Sequence, residues 1–225
     1  MKIKNLKIWD IIILTIIMLG PAIWTSTQAF FSNAVQNEEI VFTTLQNIQS
    51  IIIQSIQLFI AFIYLWVRKF DFSKWRFKIT FKYTLMGFML FIVLGFLMDL
   101  SNLATYGTVW IFNILDESIP ILSAFSEVSL SVIIFSVLNG FYEEIFFLGI
   151  CTSVEEKNQN WAFIYAVFIR IAFHTYQGII SAVSIGLFLG TIYYVLYRKK
   201  TQNLYPYMFS HMIADIFGLS LIHFF

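Results

Sequence analysis

Glu143 and Glu144 stand side by side in FYEEIFFLGI (141–150), a stretch otherwise apolar and aromatic. A carboxylate at bilayer depth costs about 2.5–3.5 kcal/mol on insertion scales, so a chain accepts it twice only with compensation. The compensation is legible on other segments. In WAFIYAVFIRIAFHTYQG, Arg170 precedes His174 by four residues and Gln177 continues the stripe. In FSHMIADIFG, His211 and Asp215 have the same spacing, as do Asn139 and Glu143 in the segment before. Residues four apart share a helix face, while Glu144 is rotated about 100° from Glu143. Three apolar segments therefore each turn ionisable groups toward one interior, with Glu143, Glu144 and Asp215 set against Arg170, His174 and His211.

A carboxylate stripped of water is a stronger base than one in solution, and a nearby histidine can share a water molecule with it. A second histidine and an amide or protonated carboxyl can donate to a developing oxyanion. These parts suit water attack on a peptide bond inside the bilayer. They also suit proton coupling in a transporter, and spacing alone does not separate the two. Zinc hydrolysis needs three N/O ligands, which His174, His211 and a glutamate could supply, yet no HExxH is present, and zinc is not favoured. Taken singly, each residue has an ordinary reading as a helix-packing hydrogen bonder or a local pair. Together, in a chain so poor in charge, they mark a functional polar cluster.

The elements that must hold this cluster follow from composition. Of 225 residues 59% are hydrophobic and 12% charged, with mean hydropathy +0.79. A soluble domain is closer to a quarter charged, so the expected class is all-α, a polytopic transmembrane helix bundle. Net charge is +1, which gives no call for nucleic acid. The single cysteine, Cys151, excludes an intrachain disulfide and a Cys-based zinc cluster, and reads as a packing thiol. About seven spans are expected, near 8–24, 49–67, 83–104, 128–152, 161–178, 179–197 and 204–225, in one integral membrane domain over 1–225. Pro21 is expected to kink the end of the first helix, and Gly87, Gly95, Gly186 and Gly190 to give close-packing faces. The first segment also resembles a signal peptide, but six further spans favour an uncleaved helix.

With the N-terminus cytoplasmic, 13 of the 14 Lys and Arg fall in inner segments, and Arg170 is the exception. This places the C-terminus outside, in a multi-pass protein of the cell membrane. The basic and aromatic stretch 75–83 reads as an inner-interface anchor, Asp99 as interfacial, and His223 as meeting headgroups.

The quoted residues resemble the CPBP family, also called Abi, the CAAX-protease and bacteriocin-processing intramembrane proteases. Its motifs are EExxxR, FxxxH and HxxxN or HxxxD. They correspond here to Glu143-Glu144 through Leu148, Arg170 through His174, and His211 through Asp215. The likeness covers roughly 128–220, a CPBP-like catalytic core. Leu148 stands where the first motif has arginine and Arg170 where the second has phenylalanine, so Arg170 is expected to pair with Glu144. The resemblance implies an intramembrane endopeptidase in which Glu143 activates water, His174 helps to hold it, and His211 and Asp215 stabilise the oxyanion. Glu144, Arg170, Asn139 and Gln177 are the supporting set, and no metal is required. The implied substrate is a peptide or membrane-associated protein segment, as in pheromone or bacteriocin processing or immunity. The alternative is a catalytically degenerate member acting as a membrane scaffold or regulator, with a signalling or export partner.

Overall fold

The structure, a computed structural model, describes residues 2–32, 43–108, 111 and 128–222. Glu38, Glu39, Asp116, Glu117 and Glu127, which the orientation with a cytoplasmic N-terminus puts in outer loops, and His223 lie outside the described residues. Among the described residues every regular element is helical, and non-helical pairing is limited to three isolated bridges.

The first apolar segment is two helices, α1 (Ile8–Met18) and α2 (Gly20–Phe31), bent by 62°. Pro21 occupies the first turn of α2 instead of the end of one long helix. There its missing N–H costs nothing, while its ring prevents α1 from running on unbroken. Next come α3 (Thr44–Val67) and α4 (Phe81–Tyr106), both long and apolar. Each starts on a threonine, Thr43 or Thr80, whose hydroxyl accepts a backbone N–H of the first turn. α5 (Leu130–Glu144) continues as a π-helical turn through Ile145–Ile150. α6 (Gln159–His174) ends in a 3-10 turn through Gln177. α7 (Ile179–Ser184) and α8 (Gly190–Leu196) form one helix with π turns at Ile185–Leu189 and Tyr197–Thr201, and α9 (Tyr205–Phe217) closes the order.

Among the described residues four helices are long and apolar enough to span a membrane, or five if the bent α1–α2 pair is one span. This is fewer than the seven expected. α6 and α9 have 16 and 13 residues, about 24 and 20 Å at 1.5 Å per residue. Both fall short of roughly 30 Å of hydrocarbon. Continuous apolar sequence hid their ends: α6 stops at His174 before Gly178 (φ 87°), and α9 stops at Gly218 (φ 80°). Large side chains such as Phe59 and Phe81 are 67% and 84% exposed along α3 and at the start of α4. Such a density of exposed apolar surface suits lipid as the surrounding medium.

Two contacts set the geometry of the interior. α3 runs parallel to α5 in a fixed register. Asn47 reaches Ser131, Gln54 reaches Asn139, and Gln57 reaches Tyr142, at sequence separations of 84, 85 and 85. α9 packs backbone to backbone on both α4 and α5. A Cβ on Gly140 would lie 2.8 Å from the Met208 carbonyl oxygen, and one on Gly87 would lie 2.6 Å from that of Pro206. Only a residue without a side chain permits these approaches, the usual device where helices meet in lipid.

One end of the bundle is tied by backbone hydrogen bonds between distant segments. Ile3 exchanges N–H and C=O with Asp71 and Lys69 (both 2.9 Å), Leu6 N–H donates to the Ser153 carbonyl (2.6 Å), and Leu204 N–H donates to that of Arg76 (2.9 Å). Asn203 adds a side-chain pair with the backbone of Lys78. The N-terminal segment and the loops after α3, α5 and α8 thus meet at the same end. They carry 12 of the 13 Lys and Arg grouped as inner in the sequence, and the thirteenth, Lys82, is in the first turn of α4. The stretch 75–80 is extended within this rim, and Trp75 turns inward to donate from its indole N–H to the Gly149 carbonyl (3.0 Å). Asp99 accepts from the Ser220 hydroxyl and the N–H groups of Leu221 and Ile222 and holds the chain after α9.

Candidate active site

Glu143 and Glu144 occupy the last turn of α5, where the helix loosens into its π turn. The Cys151 N–H donates five residues back to the Phe146 carbonyl at 2.9 Å, a wide turn of the kind often found at functional sites. Both glutamates are buried, at 4% and 0% exposure. Such carboxylates persist only with partners, and the neighbouring helices provide them.

Arg170 on α6, 1% exposed, donates from Nη2 to both Glu144 oxygens at 3.0 and 3.2 Å. Its Nη1 lies 3.7 Å from Glu143 Oε2. The guanidinium lies over the Phe147 ring at 3.9 Å, a further stabilising contact for a buried cation. Gly190 lies beside the stem, where a Cβ would make an ordinary 3.7 Å contact with Arg170 Cδ. On α9, His211 Nδ1 donates to Glu144 Oε1 at 2.8 Å, and its Nε2 faces Glu143 Oε2 (3.7 Å) and Asp215 Oδ1 (3.5 Å). Glu144 therefore serves α6 and α9 at once, while Glu143 Oε2 is buried without a hydrogen-bond partner.

Asn139 completes the group. Its Nδ2 donates to Glu143 Oε1 (3.1 Å) and to Asp215 Oδ2 (2.9 Å), which uses both amide protons on carboxylates. Its carbonyl oxygen accepts from Gln54 Nε2 on α3 at 2.7 Å. Gln54 was not singled out in the sequence, although with Asn47 and Gln57 it forms a polar stripe at steps of seven and three residues, and that stripe is the face α3 turns to α5. Gly140 is the second residue the sequence did not mark.

His174 stands apart from this network. Its Nδ1 bonds the Arg170 carbonyl at 2.8 Å. A carbonyl only accepts, so Nδ1 carries the proton and Nε2 of the neutral ring is the acceptor. The ring lies beside Phe173 and stacks with Tyr176 at 6.3 Å between centroids. No hydrogen bond or ion pair joins it to Glu143. Gln177 does not extend the stripe, because the helix ends at His174; it donates instead to the Tyr176 hydroxyl at 2.8 Å. Leu148, in the arginine position of the first motif, is 1% exposed in the apolar core.

Possible ligand atoms of Glu143, Glu144 and His211 lie within 4.8 Å of one another, a different set from the His174–His211–glutamate group considered from sequence. The donor set does not fit a metal as it stands. Both Glu144 oxygens accept from Arg170, one also accepts from His211 Nδ1, and the guanidinium lies 3.7 Å from Glu143. A divalent ion would have to share this space with a cation already paired there.

Residues 125–217 match the family model described as type II CAAX prenyl endopeptidase Rce1-like. No curated protein and no solved structure matches the chain. The matched region runs from just before α5 to the last residue of α9. It contains every member of the polar cluster except Gln54.

Proposed function

We propose, from the premise that residues 125–217 are those of a CAAX-type membrane protease, that this chain is an intramembrane endopeptidase using Glu143 to activate water. The observation that carries the reading is the division of labour between adjacent carboxylates. Glu144 is consumed by Arg170 and His211, whereas Glu143 keeps a buried oxygen free of hydrogen bonds. In this scheme Glu143 Oε2 takes a proton from water while His174 Nε2 helps to hold the molecule. The hydroxide adds to the scissile carbonyl carbon, and His211 Nε2–H, oriented by Asp215, donates to the oxyanion. Collapse breaks the C–N bond, and the proton on Glu143 passes to the leaving amine. No metal enters the scheme. The substrate class is a peptide or membrane-associated protein segment, of the pheromone, bacteriocin or immunity type. The basic, backbone-tied end is assigned to the cytoplasm, with the N-terminus there and the C-terminus outside.

The test uses purified protein in detergent with membrane-extracted peptides, following new termini by mass spectrometry. Glu143→Gln is expected to lower cleavage at least about 100-fold, the low end for losing a general base, with chelator having no effect. His174→Ala should lower it as well. Cleavage that survives Glu143→Gln would overturn the assignment of Glu143 as the base, no cleavage by the wild type of any membrane peptide offered would favour a non-catalytic scaffold or regulator, and loss on chelation would restore a metal mechanism.

A further inference from the structure

The basic end holds two adjoining cavities that the proteolytic scheme does not use, and Trp75 lines both. One is an apolar groove of about 440 Å³ walled by Phe62, Phe72, Phe77, Phe141 and Ile145 as well as Trp75. Phe141 and Ile145 lie on the opposite side of α5 from Glu143, since four-residue steps from 141 fall far from the 139–143 stripe. The groove is therefore not part of the polar cluster. The other is a polar cleft of about 610 Å³, where Lys4, Lys74, Arg76 and Arg198 face Asp71 and Glu156.

The charges in the cleft do not cancel. Glu156 is taken by Arg198 at 3.0 Å, which leaves Lys4, Lys74 and Arg76 against Asp71 alone. Lys74 donates to Asn5 Oδ1 at 2.9 Å, a neutral acceptor. Burial and then the neighbouring Lys4 lower its pKa, and Asp71 only partly opposes them. An anion in the cleft would relieve this repulsion. The two cavities meet at Trp75, whose indole N–H donates to the Gly149 carbonyl in the π extension of α5. That is the level at which apolar helix gives way to basic loop, so the junction has the polarity profile of a membrane interface.

We propose that this junction is a binding site for an anionic phospholipid, its phosphate in the Lys4–Lys74–Arg76 cleft and an acyl chain in the groove beneath Trp75. The site stands independently of the protease reading. The test is native mass spectrometry of the full chain released from micelles containing equal phosphatidylglycerol and phosphatidylcholine. Phosphatidylglycerol should be retained preferentially, and Lys74→Gln with Arg76→Gln should cut retention at least about five-fold. Lys199→Gln with Lys200→Gln removes equal charge from the same end outside the cleft and should leave retention unchanged. Equal loss in both pairs, or equal retention of the two lipids, overturns the site in favour of bulk electrostatics. A phosphatidylglycerol with a photoreactive acyl chain, applied to wild type, gives a second readout. Cross-links on 62–77 and 141–145 support the groove, and cross-links elsewhere exclude it.

Discussion

At the scale of single residues, the spacing of the motif pairs carried most of the chemistry. Glu143, His211 and Asp215 meet, and Arg170 donates to Glu144 across 26 residues. This was readable because ionisable side chains are so costly in lipid that those present must find one another. Gln177 was misjudged for a local reason: it lies beyond the end of α6, where a 3.6-residue period no longer applies. Spacing gave no sign of the partners of Asp99, which are 121 to 123 residues away. The Arg170–Glu144 pair supports a strong expectation. Arg170→Leu leaves a buried carboxylate without its cation and should cost about 3–5 kcal/mol, read as a large drop in melting temperature. Combining it with Glu144→Gln removes the orphan charge and should recover much of that loss. If the double variant melted no higher than the single one, the pair would not be what stabilises this region.

At the scale of elements, a hydropathy reading finds apolar stretches but not where helices stop. That explains why the first segment is a bent pair and why α6 and α9 are short. The π turns at Ile145–Ile150, Ile185–Leu189 and Tyr197–Thr201 have no composition signature either, since they change the pitch without changing the residues. The approach of α5 to α9 is the element-level feature on which the cluster depends most. A Cβ on Gly140 would strike the Met208 backbone at 2.8 Å and come within 3.5 Å of the His211 Cβ. Gly140→Ala should therefore destabilise by about 1–3 kcal/mol and, by pushing α9 outward, lower cleavage as well. Gly20→Ala is the matched control, because its nearest contact would be an ordinary 3.9 Å. Equal melting temperatures for the two variants would show that α9 can retreat without cost.

At the scale of the whole molecule, the sidedness written in the Lys and Arg distribution corresponds to a structural end. Ser73 and Lys199 lie in short helical turns at the basic end, and Thr43 caps α3 at the other; all three are exposed. In a Cys151→Ser background, a membrane-impermeant thiol reagent should label Ser73→Cys and Lys199→Cys from one side of intact cells or vesicles. Thr43→Cys should be labelled only from the opposite side. Labelling of Ser73→Cys and Lys199→Cys from different sides would break the assignment of these turns to a common face.

The rim at the basic end also has a mechanical consequence. Its segments are joined backbone to backbone, through Ile3, Leu6, Asp71 and Leu204. At the far end, the ties among the described residues each involve a side chain, such as Ser26 with Thr175 and Ser101 with Ser184. A bundle fastened this way behaves like a set of staves hooped at one end. Widening by side-chain exchange is cheap where hydroxyls can trade partners and costly where strand-like pairs must break, so the staves part from the unhooped end. Under the proposed protease activity, a substrate segment arriving from the lipid would pass between helices at that end, with the hoop holding Glu144, Arg170 and His211 in register while it enters.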